Sequence, residues 1–161
     1  QSEGYPYLVF TGVREDPFFQ TGQRNIESLR RRMPAPSLYL HTSDAEREGL
    51  VDGDWAKLST PQGEVVAQVA VHETMKQGHI RVPHGWWYPE LRGEASLAGA
   101  FISSDAVLCA DSDEWLDHEQ GVPHFKGFPG KVEKTDKPQQ VLRATPDDWQ
   151  ADQAVEAHAE S

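Results

Sequence analysis

Residues 84–90 of this 161-residue chain are His84-Gly85-Trp86-Trp87-Tyr88-Pro89-Glu90. They follow an apolar run at 79–83, so we expect a strand to end here and become a loop. Successive side chains on an extended backbone point in opposite directions, so Trp86 and Trp87 cannot both enter one core. One interpretation is a buried aromatic corner that fixes the loop. The other, which we favour, is that at least one Trp faces a ligand or another protein.

Three further loops share the character of residues 84–90. Residues 11–15 end an early strand, residues 18–25 follow, and residues 123–128 come late in the chain. All three are polar and contain glycine, and two carry aromatic side chains. Long loops without a hydrophobic period are uncommon in compact domains and tend to be functional. We therefore expect these loops to converge on one site.

Composition limits the classes of function. Hydrophobic residues make up 37% of the chain, enough for one core, so we expect a domain at 1–133 and an acidic, poorly ordered tail at 134–161. The net charge of −11 argues against nucleic acid and against direct contact with an anionic membrane. No run of about 18 apolar residues would span a bilayer. Arg24 and the run 30–32 are interpreted as a solvated helix face.

The N-terminus and the cysteine content add further expectations. Residues 1–6 lack the basic and apolar regions of a signal peptide, and an immediate strand suggests a piece of a longer chain, which leaves the compartment open. Cys109 is the only cysteine, so no intrachain disulfide or paired-cysteine metal motif is available. We interpret it as a small buried hydrophobe. The histidines show no metal-ligand spacing.

Short strands and tight turns predict a mainly β domain. A helix capped by Asn25 is expected at 26–32, and a second helix of about two turns should begin at a capping box of Ser43 and Glu46 and stop at Gly49. Residues 103–120 are irregular. Closure of the sheet into a barrel would remove its edge strands. Strands are predicted at 7–11, 37–41, 55–60, 64–72, 79–82 and 100–102.

Five blocks occur in an order that indicates a family. They are Thr11-Gly12; Phe18-Phe19-Gln20 with Arg24-Asn25-Ile26-Glu27-Ser28-Leu29-Arg30; residues 40–63, from Leu40-His41-Thr42-Ser43 to Thr60-Pro61-Gln62-Gly63; Val82-Pro83-His84-Gly85-Trp86-Trp87-Tyr88-Pro89; and His124-Phe125-Lys126-Gly127. From Tyr5 to Glu133 the chain resembles the molybdopterin-dinucleotide-binding domain that ends the catalytic subunit of the dimethyl-sulfoxide-reductase family. The resemblance implies a double-psi β-barrel with a few short helices. It also implies that the barrel holds molybdopterin guanine dinucleotide with molybdenum or tungsten.

The chemistry of the side chains points to the same loops. A pterin is a flat heterocycle that needs backbone groups in a close-fitting loop, and glycine at 12 and 85 permits close approach. Pyrophosphate needs cations, and guanine needs an aromatic face on which to stack. Arg14, Arg24 and Lys126 are the candidate cations. The predicted cofactor-binding residues are Thr11, Gly12, Val13, Arg14, Phe18, Phe19, Gln20, Arg24, His84, Gly85, Trp86, Trp87, Ser103, His124, Phe125 and Lys126, of which Phe18, Phe19, Trp86 and Trp87 are the candidates for stacking.

Two positions depart from the family pattern. Many relatives carry His where this chain has Gln20, and Gln keeps hydrogen-bonding capacity but cannot become cationic. Relatives also often carry an Asn-containing stretch before a Thr-Asp pair, where this chain has Ala-Gly-Ala-Phe-Ile-Ser-Ser-Asp at 98–105. An amide contact near Ser103 is therefore missing or comes from elsewhere.

The resemblance also implies that the chemistry lies outside this chain. In the family, the protein ligand of the metal and any iron–sulfur cluster belong to earlier domains, so we assign no catalytic and no metal-ligating residue. The expected partners are the remaining domains of the catalytic subunit, which share the cofactor, and an iron–sulfur electron-transfer subunit. The isolated chain should be inactive and bind no cofactor. Two alternatives stay open: a small separate subunit of the formylmethanofuran-dehydrogenase kind, and a protein-interaction module like the double-psi barrels of ATPases.

Overall fold

A computed structural model describes residues 4–91, 97–109, 116–123 and 126–139. Within these ranges the strands are β1 (Tyr7–Val13), β2 (Ser37–Leu40), β3 (Trp55–Ser59), β4 (Glu64–Val71), β5 (His79–Pro83), β6 (Leu116–Asp117), β7 (Val122–Pro123) and β8 (Lys126–Lys134). The helices are α1 (Glu27–Arg30), α2 (Thr42–Arg47) and α3 (Ala100–Ser103), with 3-10 helices at Leu97–Gly99 and Asp105–Leu108.

Six of these strands close into a barrel in the order β1-β5-β2-β4-β3-β8. Two pairs are parallel, β1 with β5 and β2 with β4, and antiparallel pairs connect them around the barrel. Closure with two parallel pairs of this kind is the double-psi β-barrel that the sequence predicts. Strands β6 and β7 form a separate two-stranded sheet.

Alternating apolar side chains fill the barrel. In β4, Val65, Ala67 and Val69 are buried, whereas the residues between them are not. This is the face that the two-residue period predicts. The other barrel strands contribute in the same way, so the core lies between the sheet walls; it includes Tyr7, Val9, Leu38, Leu40, Ala56, Leu58, Ile80, Val82 and Val132.

Both predicted helices occur, but their N-terminal caps differ from the prediction. The helix expected at 26–32 is the four-residue α1, and it begins after Ile26, which provides no capping side chain, rather than after Asn25. In α2 the cap is His41, whose Nδ1 accepts the backbone N–H of Ser43. An imidazole therefore takes the place of the predicted capping box.

The strand predicted at 100–102 is wrong, because these residues lie in α3. Gly99, with a φ of 67°, turns the chain into this helix, and Ser104 donates its backbone N–H to Ala100 O at 2.8 Å. A short apolar run does not by itself distinguish a helix from a strand.

Strand β8 begins at Lys126, within the loop that the sequence predicts at 123–128. The strand is hard to recognise in the sequence because it contains two glycines and a proline, and both residue types are depleted in strands. Gly130 is required by packing, since a Cβ there would lie 2.3 Å from Val9 Cγ2. The strand pairs with β1 and β3 and so closes the barrel. Thr135 continues this contact by donating its N–H to Trp55 O at 2.9 Å.

The loops that carry most of the predicted site lie at one end of the barrel, which we call the loop end. Because β1 and β5 are parallel, with Val13 beside Pro83, the loops that follow them leave at the same end. Strand β8 is antiparallel to β1, with Lys126 opposite Phe10, so it begins at that end. Residues 14–25, residues 84–90 and the start of β8 therefore converge, as expected, although residues 11–13 belong to β1 and not to the loop that the sequence predicts. His124 and Phe125 lie outside the described residues.

Candidate functional site

Asp105 lies beneath the loop end and connects the last residues of β1 to the loop that follows β5. Its carboxylate is fully buried and accepts the N–H of Gly12 at 3.0 Å, the N–H of Gly85 at 2.7 Å and the Nδ1–H of His84 at 3.1 Å. Both glycines have left-handed φ angles, 73° and 58°, which other residues rarely adopt. A buried carboxylate is tolerated when hydrogen bonds satisfy it. One side chain thus fixes the end of β1 relative to the loop after β5.

The segment that carries Asp105 is also attached to the barrel core. Thr60 Oγ1 donates to Leu108 O at 3.0 Å, and the Leu108 side chain is part of the core. The hydroxyl of Ser104 caps the short 3-10 helix by accepting the N–H of Ala106. Asp105 therefore extends toward the loops from a base that the barrel core fixes.

The two adjacent tryptophans have different surroundings, as the alternation of side chains predicts. Trp86 is 1% exposed and packs edge-to-face against Phe18 and Tyr88, with centroid distances of 5.6 and 6.2 Å. Trp87 is half-buried, and its Nε1 donates to Thr21 O. Trp86 is therefore the buried aromatic corner, whereas Trp87 ties the loop after β5 to the loop after β1.

Arg24, a predicted cation for pyrophosphate, is only 2% exposed. Its guanidinium donates to Gln20 O and to His84 O, both at 2.9 Å, and lies 4.9 Å from the ring centroids of Phe18 and Trp86. Burial is the main reason that the pKa of Arg24 is lowered to about 10. In the structure, Arg24 clamps the two loops together from inside.

A second buried arginine completes this aromatic cluster. Arg30 forms a salt bridge with Glu90 at 2.7 Å, and both side chains are almost fully buried. Its guanidinium lies 5.3 Å from the Trp86 ring centroid and 5.5 Å from that of Tyr88. The interpretation of Arg24 and Arg30 as part of a solvated helix face is therefore wrong, because both guanidinium groups lie in the interior.

Four other predicted residues reach solvent at the loop end, and we call them the exposed set: Arg14, Phe19, Gln20 and Lys126. Phe19 is 65% exposed, and the Arg14 guanidinium lies 5.8 Å from its ring centroid. Gln20 has a φ of 50°, in the left-handed region that is uncommon for residues other than glycine. The exposed set therefore offers two cations, one aromatic face and one amide in a chain of net charge −11.

The remaining predicted residues support the loops from within. Thr11 is fully buried, and its Oγ1 lies 3.9 Å from Cys109 Sγ. Val13 O accepts the N–H of His84 at 2.9 Å. Ser103 is 2% exposed, and its hydroxyl donates to backbone carbonyl oxygens. These contacts give Thr11, Val13 and Ser103 structural roles. Their contact with a ligand stays a prediction.

Asp105 is the residue of this site that the sequence interpretation misses. It ends the 98–105 stretch, which the sequence treats only as a departure from the family pattern. The available signal is the Ser104-Asp105 pair, which occurs in the region where relatives carry Thr-Asp. Nothing in the neighbouring composition shows that this carboxylate is buried, since that depends on amides more than 90 positions and 20 positions away in sequence.

Neither a metal-binding cluster nor a membrane-spanning helix is found among the residues that the structure describes. There, no cluster of three or more His, Cys, Asp or Glu side chains could hold a metal ion. Burial raises the pKa of the Cys109 thiol, which favours the protonated form over the metal-binding thiolate. In the same parts of the chain, no helix is both long enough and apolar enough to cross a bilayer.

The donor groups at the loop end fit an anionic ligand with flat heterocycles. The N–H groups of Gly12 and Gly85 already donate to Asp105, so the side chains of Arg14 and Lys126 are left to meet phosphate. Phe19 offers a flat surface. The Gln20 amide and the His84 side chain, which is 32% exposed, offer hydrogen bonds to a heterocycle.

Comparison with known proteins leads to the same ligand class. The family described as "Molydopterin dinucleotide binding domain" matches residues 8–129. Acetylene hydratase of Syntrophotalea acetylenica is 37% identical over 125 residues, 76% of this chain and 17% of that protein. A tetrathionate reductase subunit of Salmonella typhimurium is 30% identical over 125 residues, 68% of this chain and 12% of that protein. Protein FwdD of Methanocaldococcus jannaschii is 33% identical over 104 residues, 62% of each chain.

A solved structure also matches this chain. Acetylene hydratase from Pelobacter acetylenicus matches with a TM-score of 0.76 and 36% identity, over 81% of this chain and 18% of that one. The chain is thus a double-psi β-barrel whose relatives carry it as one part of larger proteins. It belongs to the molybdopterin dinucleotide-binding domain family. It spans less than a fifth of the length of the hydratase and the reductase.

Proposed function

We propose that this chain is the C-terminal domain of the catalytic subunit of a molybdenum or tungsten enzyme. In this proposal it binds molybdopterin guanine dinucleotide, which it shares with the remaining domains. The observation that carries the proposal is the convergence of the end of β1 and the loop after β5 on Asp105, next to the exposed set. Family membership supports the cofactor class, and the small share of the relatives that the chain covers supports its place within a longer polypeptide.

Arg14 and Lys126 are the residues that would hold the pyrophosphate. Both are exposed cations at the loop end, and charge-assisted hydrogen bonds to phosphate are among the strongest that side chains make. The other candidates are already engaged. Arg24 is buried and donates to the carbonyl oxygens of Gln20 and His84. The amides of Gly12 and Gly85 donate to Asp105.

The heterocycles would meet the remaining accessible groups. Phe19 would stack on guanine, since its ring is mostly exposed. His84 and Gln20 would hydrogen-bond the pterin, because an imidazole and an amide can pair with its ring nitrogen and carbonyl groups. When bound, the cofactor supplies the metal at which the reaction takes place.

The domain itself does not decide the type of reaction. One relative is named a hydratase and another a reductase, although this domain matches both. We propose that the chain binds and orients the cofactor, that it is inactive alone, and that an iron–sulfur subunit is a further partner. The sequence predicts a binding domain at 1–133 and a tail at 134–161; because β8 extends to Lys134 and Thr135 bonds to β3, the tail would begin after Thr135.

A second version of the proposal is that the barrel is a small separate subunit of a metal-containing complex. The match to FwdD favours this version, because the matched region makes up 62% of FwdD and FwdD is therefore not much longer than the match. In both versions the loop end binds the same dinucleotide. The two versions differ in the length of the native polypeptide.

Alanine substitution of the two exposed cations tests the assignment. In the native enzyme or complex, Arg14→Ala and Lys126→Ala should each weaken dinucleotide binding about tenfold or more, the effect of losing a charge-assisted hydrogen bond. Lys76→Ala, at an exposed lysine before β5 and thus at the other end of the barrel, is the control. The measurement is GMP released by hydrolysis per polypeptide. Retention equal to that of Lys76→Ala in both variants would contradict the site.

A further inference from the structure

We infer that Asp105 is a positioning residue of the cofactor site, which sets the separation between the end of β1 and the loop after β5 and the orientation of the His84 imidazole. The inference rests on the proposed function for the identity of the ligand. Asp105 is 0% exposed, so it acts through its partners rather than by touching the cofactor. Its partners are Gly12, His84 and Gly85, all within the predicted site.

Both carboxylate oxygens are needed for this arrangement. Oδ2 accepts from Gly12 N and from His84 Nδ1, so it bridges the end of β1 and the loop after β5, while Oδ1 accepts from Gly85 N. A carboxylate has two acceptor oxygens and no donor, which suits three converging N–H groups. An asparagine of the same shape would place an NH₂ group against at least one of these donors. The end of β1 and the loop after β5 could then no longer keep this spacing.

The same contact fixes the tautomer of His84. Since a carboxylate can only accept, Nδ1 carries the hydrogen, and the ring is held with a defined face toward the loop end. Buried carboxylates orient functional imidazoles in this way at metal sites, where loss of the carboxylate weakens binding although it never touches the ligand. Asp105 would give His84 a fixed hydrogen-bonding direction toward the pterin.

Asp44 provides a matched comparison at the opposite end of β5. It is 1% exposed and accepts the N–H of Gly78, the residue before β5, at 2.6 Å, as well as a guanidinium hydrogen of Arg47 at 2.8 Å. Both ends of the strand are thus tied to a buried aspartate through a glycine amide. Of these two aspartates, only Asp105 lies at the loop end. Comparing variants at the two positions therefore distinguishes an effect on the stability of the fold from an effect on cofactor binding.

The test compares Asp105→Asn with Asp44→Asn in the native full-length enzyme or complex. For each we would measure the melting temperature, the pterin and GMP content per polypeptide, and the half-life of cofactor retention well below the melting temperature. Both variants should lower the melting temperature, because each removes a buried acceptor. Asp105→Asn should also shorten cofactor retention about tenfold or more, whereas Asp44→Asn should leave it unchanged. A milder variant, Ser104→Ala, removes only the cap that orients the 105–108 turn and should shorten retention by a smaller factor.

The outcomes separate the inference from the proposed function. If the wild type carries pterin and GMP and Asp105→Asn retains them as well as Asp44→Asn does, the inference is overturned and the proposed function stands. If the wild type carries neither, the proposed function is overturned and the inference falls with it. If Asp105→Asn does not fold, Ser104→Ala decides. Retention that is shortened when each protein is held the same interval below its own melting temperature supports the inference, and unchanged retention overturns it.

Discussion

The guanidinium of Arg24 lies 4.9 Å from the ring centroid of Trp86, and both side chains are almost completely buried. This pair explains how a loop without regular structure keeps a defined shape: a cation inside the loop binds its carbonyl oxygens and an aromatic ring at the same time. It also separates two kinds of arginine at the loop end. Arg24 supports the loop, and Arg14 on the outer surface remains for a ligand.

Arg24→Ala should destabilise the chain. Gln20 O and His84 O would lose their charged donor in a buried site, which costs about 2–5 kcal/mol. Arg14→Ala, on the same loop but exposed, should change the free energy of unfolding by about 0.5 kcal/mol or less. Urea unfolding of the two variants measures the difference. Equal stability of Arg24→Ala and the wild type would contradict the role of Arg24 as a clamp.

Tyr88→Phe should leave the chain as stable as the wild type or more stable. Tyr88 is 1% exposed, and its hydroxyl has no hydrogen-bond partner among the described residues. Removing a buried, unsatisfied hydroxyl typically recovers about 1 kcal/mol or more. Tyr7→Phe is the matched control, because the Tyr7 hydroxyl donates to Glu48 and accepts from Arg47, and its loss should be destabilising. A similar loss of stability in both variants would show that the Tyr88 hydroxyl is satisfied.

Stability should decline at alkaline pH because of three tyrosines. Burial is the main cause that raises the pKa of Tyr7, Tyr39 and Tyr88 above the ordinary value of 10.0. As the pH rises through 10.0, the unfolded chain releases these protons while the folded chain keeps them, so stability falls with pH. Their contribution is complete below pH 10.0 and is lost as the pH passes through the raised values. Urea midpoints on both sides of pH 10.0 check this, and the decline should be shallower in Tyr88→Phe than in the wild type.

Gly85→Ala should damage the loop end more than its backbone conformation alone explains. At Gly85 the φ angle is +58°, and a Cβ would lie 2.2 Å from Thr21 Cγ2. Gly49 has a similar φ of +65° but nothing within 4 Å of a Cβ, so Gly49→Ala isolates the backbone cost of about 1 kcal/mol. We expect a larger loss of unfolding free energy in Gly85→Ala and, in the native enzyme, weaker cofactor retention. Equal effects in the two variants would mean that Thr21 moves aside freely.

Most of the barrel is predictable from the sequence because one face of each strand enters the core. The alternation of Val65, Ala67 and Val69 indicates β4 and its buried face, and glycine at 49 and 53 marks the ends of elements where left-handed φ angles occur. The adjacent Trp86 and Trp87 likewise predict a loop with one inner and one outer ring. These patterns depend on residues that are close together in sequence, so they can be recognised without knowledge of the tertiary contacts.

The parts that the sequence does not reveal depend on contacts between distant segments. Strand β8 packs closely against β1 only with glycine at 130, because a Cβ there would lie 2.3 Å from Val9 Cγ2, and strand propensities do not record such a contact. The burial of Arg24 depends on the His84 carbonyl 60 positions later, and the role of Asp105 depends on Gly12, 93 positions earlier. The convergence of the loops is predictable, whereas the division between supporting residues and exposed ones is not.

The composition of the native polypeptide that contains these residues, purified from its source cells, is the most direct test of the proposed function. We would measure its length by mass spectrometry together with its molybdenum or tungsten, pterin and GMP content. We predict a polypeptide several times longer than 161 residues, as the shares of the relatives covered suggest, carrying the metal, pterin and GMP. A native chain of about this length inside a metal-containing complex would instead favour the separate-subunit version. A native polypeptide that contains no metal, no pterin and no GMP would contradict the proposed function.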